Sequence, residues 1–286
     1  MNLKTLRKSL LLGISALMLA SCGTVALTGR NQLLLYSDSD ILSLSEQSYQ
    51  EFCTTAVAST NKTATNMVKT VCNNLLSAMS TYFTNTGQEH YMSGLSWQCD
   101  LVQSDEVNAF CMPSGKIVVY EGILSYASTP DLLAVVIGHE IAHAIARHSN
   151  ERMSRQMAVQ KVGNAVLTAA SVSGKYTTSQ LNSFNTAIGI GSQYGLILPF
   201  SRKQEYEADR IGLILMAMAG YDITQAVELW EKMSEGSGSS VPAFMSTHPS
   251  DEKRIANLKK CMTEAIKYHP KYEEYVKAGQ AAKSSK

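Results

Sequence analysis

Between Asp38 and Leu76 the apolar side chains recur at helical spacing: Ile41, Leu44, Tyr49 and Phe52 in one run, then Met67, Val71 and Leu75 in a second. Polar Ser59-Thr60-Asn61 separates them, so the pattern predicts two amphipathic helices. The period then shortens. Leu95 to Val102, Ala109 to Met112 and Lys116 to Tyr120 alternate or run apolar, and Pro113-Ser114-Gly115 supplies turn chemistry between the last two. A small antiparallel sheet is expected there. Ser128-Thr129-Pro130-Asp131 combines an N-cap, a first-turn proline and an early acid ahead of the apolar stretch Leu132 to Ile145, which predicts a long buried helix. Helical texture continues over Met153 to Ala170, Leu181 to Leu198, Glu205 to Ala219, Ile223 to Ser234 and Asp251 to Tyr268. The fold class expected is α+β, mainly α-helical, with Ser234 to Ser240 a flexible loop and residues 279–286 a disordered tail.

Bulk properties narrow the picture. The 286 residues are 45% hydrophobic and 17% charged, which suits one catalytic domain with a sizeable core. A net charge of +1, with no basic run beyond the N-terminus, argues against a nucleic-acid partner. After Cys22 no stretch reaches eighteen uninterrupted apolar residues, so no transmembrane helix is expected. Lys4, Arg7 and Lys8 precede an apolar run from Leu10 to Ala20, the pattern of a secretory signal over 1–21. Its end, Leu19-Ala20-Ser21-Cys22, resembles a lipobox, which predicts lipidation of Cys22, a lipidated linker over 22–36 and attachment to a membrane. Gly23 in place of Asp favours the outer membrane, so the expected address is a bacterial cell envelope, lipid-anchored and facing the periplasm. Export would place Cys53, Cys72, Cys99, Cys111 and Cys261 in an oxidising compartment. The pairs Cys53 with Cys72 and Cys99 with Cys111 stand beside the alternative of buried free thiols.

The chemistry resides in His139-Glu140-Ile141-Ala142-His143. Its i, i+4 spacing puts both imidazoles on one helix face, within reach of a single ion, and suits Zn2+. Glu140, about 100° round the helix, misses the ligand positions and faces the water a catalytic metal would hold. Two histidines and a glutamate on an apolar helix cost desolvation free energy unless something binds them. A third protein ligand is needed. Ala146 and Ser149 stand where a metzincin would carry glycine and histidine, and His148 points about 140° away from His143, as a surface or capping histidine. Downstream, Glu205 and Asp209 share a helix face. Glu205 can ligate, and Asp209 can accept the other ring N–H of a ligating histidine. Glu207, about 200° from Glu205, reads as a solvated helix charge.

Gly138-His139-Glu140-x-x-His143 followed by Glu205-x-x-Ala208-Asp209 resembles peptidase family forty-eight, the gluzincins with HtpX-like and CaaX-prenyl-protease-like members. Thr28-Gly29-Arg30, Asn108-Ala109-Phe110 with Pro113-x-Gly115, Ser201-Arg202, and Thr247-His248-Pro249 with Arg254-Ile255 extend the similarity to the soluble, exported branch over most of the chain. The resemblance implies a single zincin-like metallopeptidase domain over 37–278 with a short sheet beside the cleft. It also implies one Zn2+ per chain on His139, His143 and Glu205, with Glu140 as the base. Ser114 departs from the family, whose members commonly carry a second glycine there, and puts the local turn in question. Because membrane-spanning helices are lacking, a prenyl-peptide substrate is not implied.

The function expected is hydrolysis of peptide bonds in unfolded or misassembled envelope proteins, with Glu140 taking a proton from water and returning one to the leaving amine. His248 is assigned to oxyanion stabilisation, to a fourth zinc position in a latent enzyme, or to a loop ordered by Pro249; the residues leave these open. Arg254 either anchors that loop to a carboxylate or caps its helix. The sheet edge at Asn108, Ala109 and Phe110 is the candidate for binding an extended peptide by strand addition. The rivals are a chaperone-like or scaffolding lipoprotein with a latent zinc site and a purely structural metal site; an intact Glu140 argues against both.

Overall fold

In chain order the elements are β1 (Cys22–Thr24), β2 (Asn31–Leu33), α1 (Asp38–Cys53), α2 (Lys62–Asn85), β3 (Gln98–Val102), β4 (Ala109–Cys111), β5 (Lys116–Tyr120), α3 (Pro130–Ile145), α4 (His148–Ser173), α5 (Arg202–Met218), α6 (Gln225–Glu235), α7 (Ala243–Thr247) and α8 (Glu252–Ala265). They belong to a computed structural model that describes residues 22–173, 201–235, 242–248 and 252–274, with the single positions 177, 179 and 277. The expected signal segment, the Leu181 to Leu198 helix, most of the Ser234 to Ser240 loop and the C-terminal tail lie outside the described residues. The chain divides into two units, Met1–Ile41 with Arg147–Leu198, and Leu42–Ala146 with Pro199–Lys286.

In the first unit β1 and β2 form an antiparallel hairpin whose turn places Gly29 at a φ of +66°, a conformation that favours glycine. Arg30 leaves this turn and grips Glu151 of α4 with two bonds of 2.8 Å. Asn150 donates to the Tyr36 carbonyl and the Leu35 N–H donates to Ser154, so the segment after β2 is fastened along the first turns of α4. Thr28-Gly29-Arg30 thus has a structural role: a turn that aims one guanidinium at one buried carboxylate.

In the second unit Asn61 caps α2 by accepting from the Ala64 N–H at 3.0 Å. Its buried stripe runs Val68, Val71, Cys72, Leu75, Met79 and Phe83, so the helix continues past the expected end at Leu76 because its apolar period continues. The sheet has β5 at its centre, with β4 antiparallel on one side and β3 parallel on the other. The expected antiparallel pairing is therefore that of β4 with β5. Residues 103–108 carry the chain past the end of β5, where the Gly122 N–H bonds the Ser104 carbonyl, and this delivers β3 to the far edge in parallel. Lys116 to Val119 are all buried, as a central strand covered on both faces requires. The turn that Ser114 put in question is intact. The positive φ of +91° falls on Gly115, while the Ser114 N–H donates to the Ser45 hydroxyl, which donates to the Ser114 hydroxyl in return.

Helix α3 begins as its sequence predicts, with Thr129 accepting from the Leu132 N–H and Pro130 in the first turn, and every residue from Leu132 to Ile145 is buried. It crosses α5 where Gly138 meets Gly212. Among the described residues no helix is long and apolar enough to cross a membrane. The five described thiols are free. Cys99 and Cys111 both lie opposite Ile117, on the two sides of β5. Two strand spacings, about 9.5 Å, exceed disulfide reach.

Candidate active site

Two helices and one loop converge on a buried cluster. Helix α3 contributes His139, Glu140 and His143. Helix α5 contributes Glu205 and Asp209, and its start is fixed by a reciprocal cap between Ser201 and Gln204. His248 caps α7, so it extends a short helix and does not sit in an open loop as expected. All six side chains are buried. The ligand atoms of His139, His143, Glu205 and His248 lie within 4.8 Å of one another. Nε2 of His139 is 3.0 Å from Nε2 of His143, and both face the Glu205 carboxylate at 3.3 and 3.4 Å. Nδ1 of His248 is 3.1 Å from Nε2 of His139 and 3.2 Å from both Glu205 oxygens. The helical face that carries His139 and His143 is thus closed by Glu205 and His248.

Supporting bonds surround these donors. Asp209 lies 3.0 Å from Nδ1 of His139. A carboxylate only accepts, so Nδ1 carries a ring proton and Nε2 is the atom that faces the cluster and would ligate a cation once deprotonated. Arg254 donates to both Asp209 oxygens at 2.7 Å and to the His248 carbonyl at 3.1 Å, and it lies 3.2 Å from Glu205. Of the two readings of Arg254, the carboxylate anchor is the one these bonds describe. Its guanidinium carbon stands 3.6 Å from the centre of the Trp230 ring, which stacks on Phe244.

Glu140 stands apart from the four. One oxygen accepts the backbone N–H of Cys111 at 3.0 Å. The other is buried without a hydrogen bond and lies 3.3 Å from Nε2 of His248. Burial raises the Glu140 carboxyl above its ordinary range, with the neighbouring histidines working in the opposite direction. Burial acts to lower the His139 pKa, yet the bonds to Asp209 and Glu205 prevail and hold it at about 9. Burial acts to raise Glu205, but His248, His139 and His143 keep it well below the usual carboxylate range.

Three ring nitrogens and a carboxylate converge out of water at 3.0–3.4 Å, a cluster of potential donor atoms of the kind that a bound cation compensates. The residue types and spacing fit a divalent ion of the zinc class.

Other expected positions fall differently. Asn108 accepts the Ala109 N–H and donates to Glu106, and the Cys111 N–H is taken by Glu140, so two amides of the β4 edge are engaged within the chain. Phe110 packs against Phe52 and Tyr120 in an apolar cluster. Glu207, expected to be solvated, is only 8% exposed because α5 is enclosed on most sides. His148, expected as a surface or capping histidine, is the first residue of α4 and is fully buried, so it is not at the surface. Sequence reasoning missed Phe244 and Trp230, and the backbone amide of Cys111, which no side-chain pattern announces. The i, i+4 spacing of Phe244 and His248 was the available signal for the first.

Residues 69–262 match the model of peptidase family M48. The chain is 41% identical over 176 residues to the mitochondrial metalloendopeptidase OMA1 of Schizosaccharomyces pombe, covering 61% of this chain and 49% of that protein. It is 30% identical over 189 residues to the mitochondrial metalloendopeptidase OMA1 of Homo sapiens, covering 62% and 34%. It is 29% identical over 167 residues to the beta-barrel assembly-enhancing protease of Escherichia coli, covering 56% and 33%. The chain therefore spans about half the length, or less, of these relatives. Both mitochondrial proteins exceed the bacterial one in identity, which corrects the expected address: a lipid-anchored, periplasm-facing place in a bacterial envelope does not follow from these relationships.

Proposed function

The chain belongs to peptidase family M48, and from that membership we propose that it is a zinc-dependent endopeptidase acting on unfolded or misassembled polypeptides, with one Zn2+ per chain on His139, His143 and Glu205. The observation that carries the reading is the buried donor set within 4.8 Å, with the unbonded Glu140 oxygen beside it. When bound, zinc would acidify a water and polarise a peptide carbonyl. The chain's own groups do the rest. Glu140, held through one oxygen by the Cys111 N–H, presents the other as the base that accepts the water proton and passes one to the leaving amine. Asp209, braced by Arg254, keeps His139 in the tautomer that ligates. The Ala109 and Cys111 carbonyls of the β4 edge remain the candidates to accept a peptide's N–H groups. The narrower expectation of envelope proteins as substrates draws support from the beta-barrel assembly named for the Yersinia pestis and Escherichia coli relatives. Cys22 keeps its proposed lipidation on the strength of Leu19-Ala20-Ser21-Cys22 alone, with no compartment attached.

The test is casein cleavage by the purified chain with zinc, with chelator, and as Glu140→Gln. Activity is expected with zinc only, and Glu140→Gln should retain the metal while losing ~100-fold or more in rate. A fully active Glu140→Gln would remove Glu140 from this role.

A second reading is favoured by His248. Its Nδ1 lies as close to Glu205 and His139 as these lie to each other, so it can complete four protein ligands and leave no open position. That state is latent, and cleavage then requires His248 to withdraw.

A further inference from the structure

Helix α7 is five residues long, too short to hold its conformation by its own hydrogen bonds. Within α7 only Phe244 is buried, and His248 follows it at i+4 on the same face. The placement of His248 therefore depends on where Phe244 is seated. Phe244 lies against Trp230 with ring centroids 5.7 Å apart and planes 22° from parallel, and against the His248 ring at 4.6 Å. Its N–H donates to the Val107 carbonyl at 3.0 Å, and its carbonyl accepts the His248 N–H at 2.8 Å. Trp230 is fixed in turn by the Arg254 guanidinium on its face, and that guanidinium also holds the His248 carbonyl. The order of stacking is Arg254, Trp230, Phe244, His248.

We propose that Phe244, seated on Trp230, is the positioning residue that delivers the His248 imidazole to the metal cluster, so that this aromatic stack sets whether a fourth protein donor is present. The inference rests on His248 acting as a ligand, as in the latent reading above. The Phe244 ring offers no donor atom to a metal; it lies nearer the His248 ring, at 4.6 Å, than the His139 ring, at 6.4 Å, and acts through His248. Losing the ring removes the only buried side chain of α7, leaving the Phe244 N–H bond to Val107 and the Arg254 bond to the His248 carbonyl as the main-chain holds on the short helix and its cap.

The experiment measures zinc affinity by chelator competition and the cobalt(II) ligand-field spectrum, which reports coordination, for wild type, His248→Ala, Phe244→Ala and the double variant. Both single variants are expected to lose roughly tenfold in affinity and to share one altered spectrum, and the double variant should be no weaker than His248→Ala. Phe244→Leu keeps an apolar side chain in the pocket and guards against a fold defect; it should retain the near-ultraviolet dichroism of the wild type and still shift the spectrum toward that of His248→Ala. Wild-type affinity and spectrum in a folded Phe244→Ala or Phe244→Leu, beside an altered His248→Ala, overturn the inference alone. So does a Phe244→Ala loss that adds to that of His248→Ala. An unaltered His248→Ala overturns the fourth-ligand reading beneath it.

Discussion

Gly138 and Gly212 meet backbone to backbone where α3 crosses α5: a Cβ on Gly212 would stand 3.1 Å from the Gly138 carbonyl carbon and 3.1 Å from the His139 nitrogen. The contact lies one residue before the first metal-facing histidine and three after Asp209, so the helix separation it permits also sets the reach from Glu205 and Asp209 to His139. Gly212→Ala gains up to about 1 kcal/mol of helix propensity. The gain is outweighed because the atoms it meets are backbone and cannot swing aside, and overpacking of this kind costs about 1–3 kcal/mol. The variant should melt lower than wild type and bind zinc more weakly, read by calorimetry with and without the metal. A higher melting temperature with unchanged zinc affinity would show that the helices can separate freely.

Asp209 carries its charge inside the protein, and two 2.7 Å bonds from Arg254, itself fully buried, compensate it. Breaking such a pair from one side leaves the other charge unpaired, at a cost of about 3–5 kcal/mol. Arg254→Met should therefore be strongly destabilised in denaturant melts. Asp209→Asn retains the shape but offers His139 a neutral partner, and zinc affinity should fall by ~10–100-fold. Stability of Arg254→Met within 1 kcal/mol of wild type, on this scale, would mean that water reaches Asp209.

A similar argument applies at the hairpin. Glu151 is fully buried, and Arg30 and Arg155 share it, Arg30 through two parallel bonds and Arg155 from a half-exposed position. Arg30→Gln should lower the unfolding free energy by about 2 kcal/mol or more, since the loss of a charged hydrogen-bonding partner exposes most of the desolvation cost of a carboxylate. Glu151→Gln in the Arg30→Gln background should recover part of that loss. If the double variant is no more stable than Arg30→Gln, the charge on Glu151 is compensated elsewhere.

The sequence disclosed whatever depends on periodicity. The pairing of His139 with His143 follows from one helical turn and the shared face of Glu205 and Asp209 follows from another, while the stripe of α2 runs on through Met79 and Phe83, past the expected end at Leu76. It concealed whatever depends on tertiary approach. The parallel entry of β3 depends on how residues 103–108 turn, and the hold on Glu140 comes from a main-chain amide of β4. Glu207 reads as solvated by angle alone, because a helical wheel gives direction but not how many neighbours enclose the helix. Phe244 was overlooked because its neighbour in space, Trp230, lies on a different helix, and each alone reads as an ordinary core side chain.

Proton bookkeeping gives the last prediction. Burial favours neutral His139, but Asp209 and Glu205 outweigh it and hold its pKa at about 9, above the ordinary value of 6.5. A group raised in this way stabilises the metal-free fold fully below pH 6.5, and the contribution is lost as pH rises through about 9. Zinc needs the Nε2 lone pair, so binding at pH 7 must expel the proton that His139 holds there. Calorimetric titration of zinc in two buffers of different ionisation enthalpy should report release of about one proton or more per metal at pH 7, declining above pH 9. The chelated protein should lose stability between pH 6.5 and 9 relative to the zinc-loaded protein, because only the former still has that proton to lose. Zinc uptake at pH 7 with no proton release would mean that His139 is neutral before the metal arrives, and that Asp209 and Glu205 do not charge it.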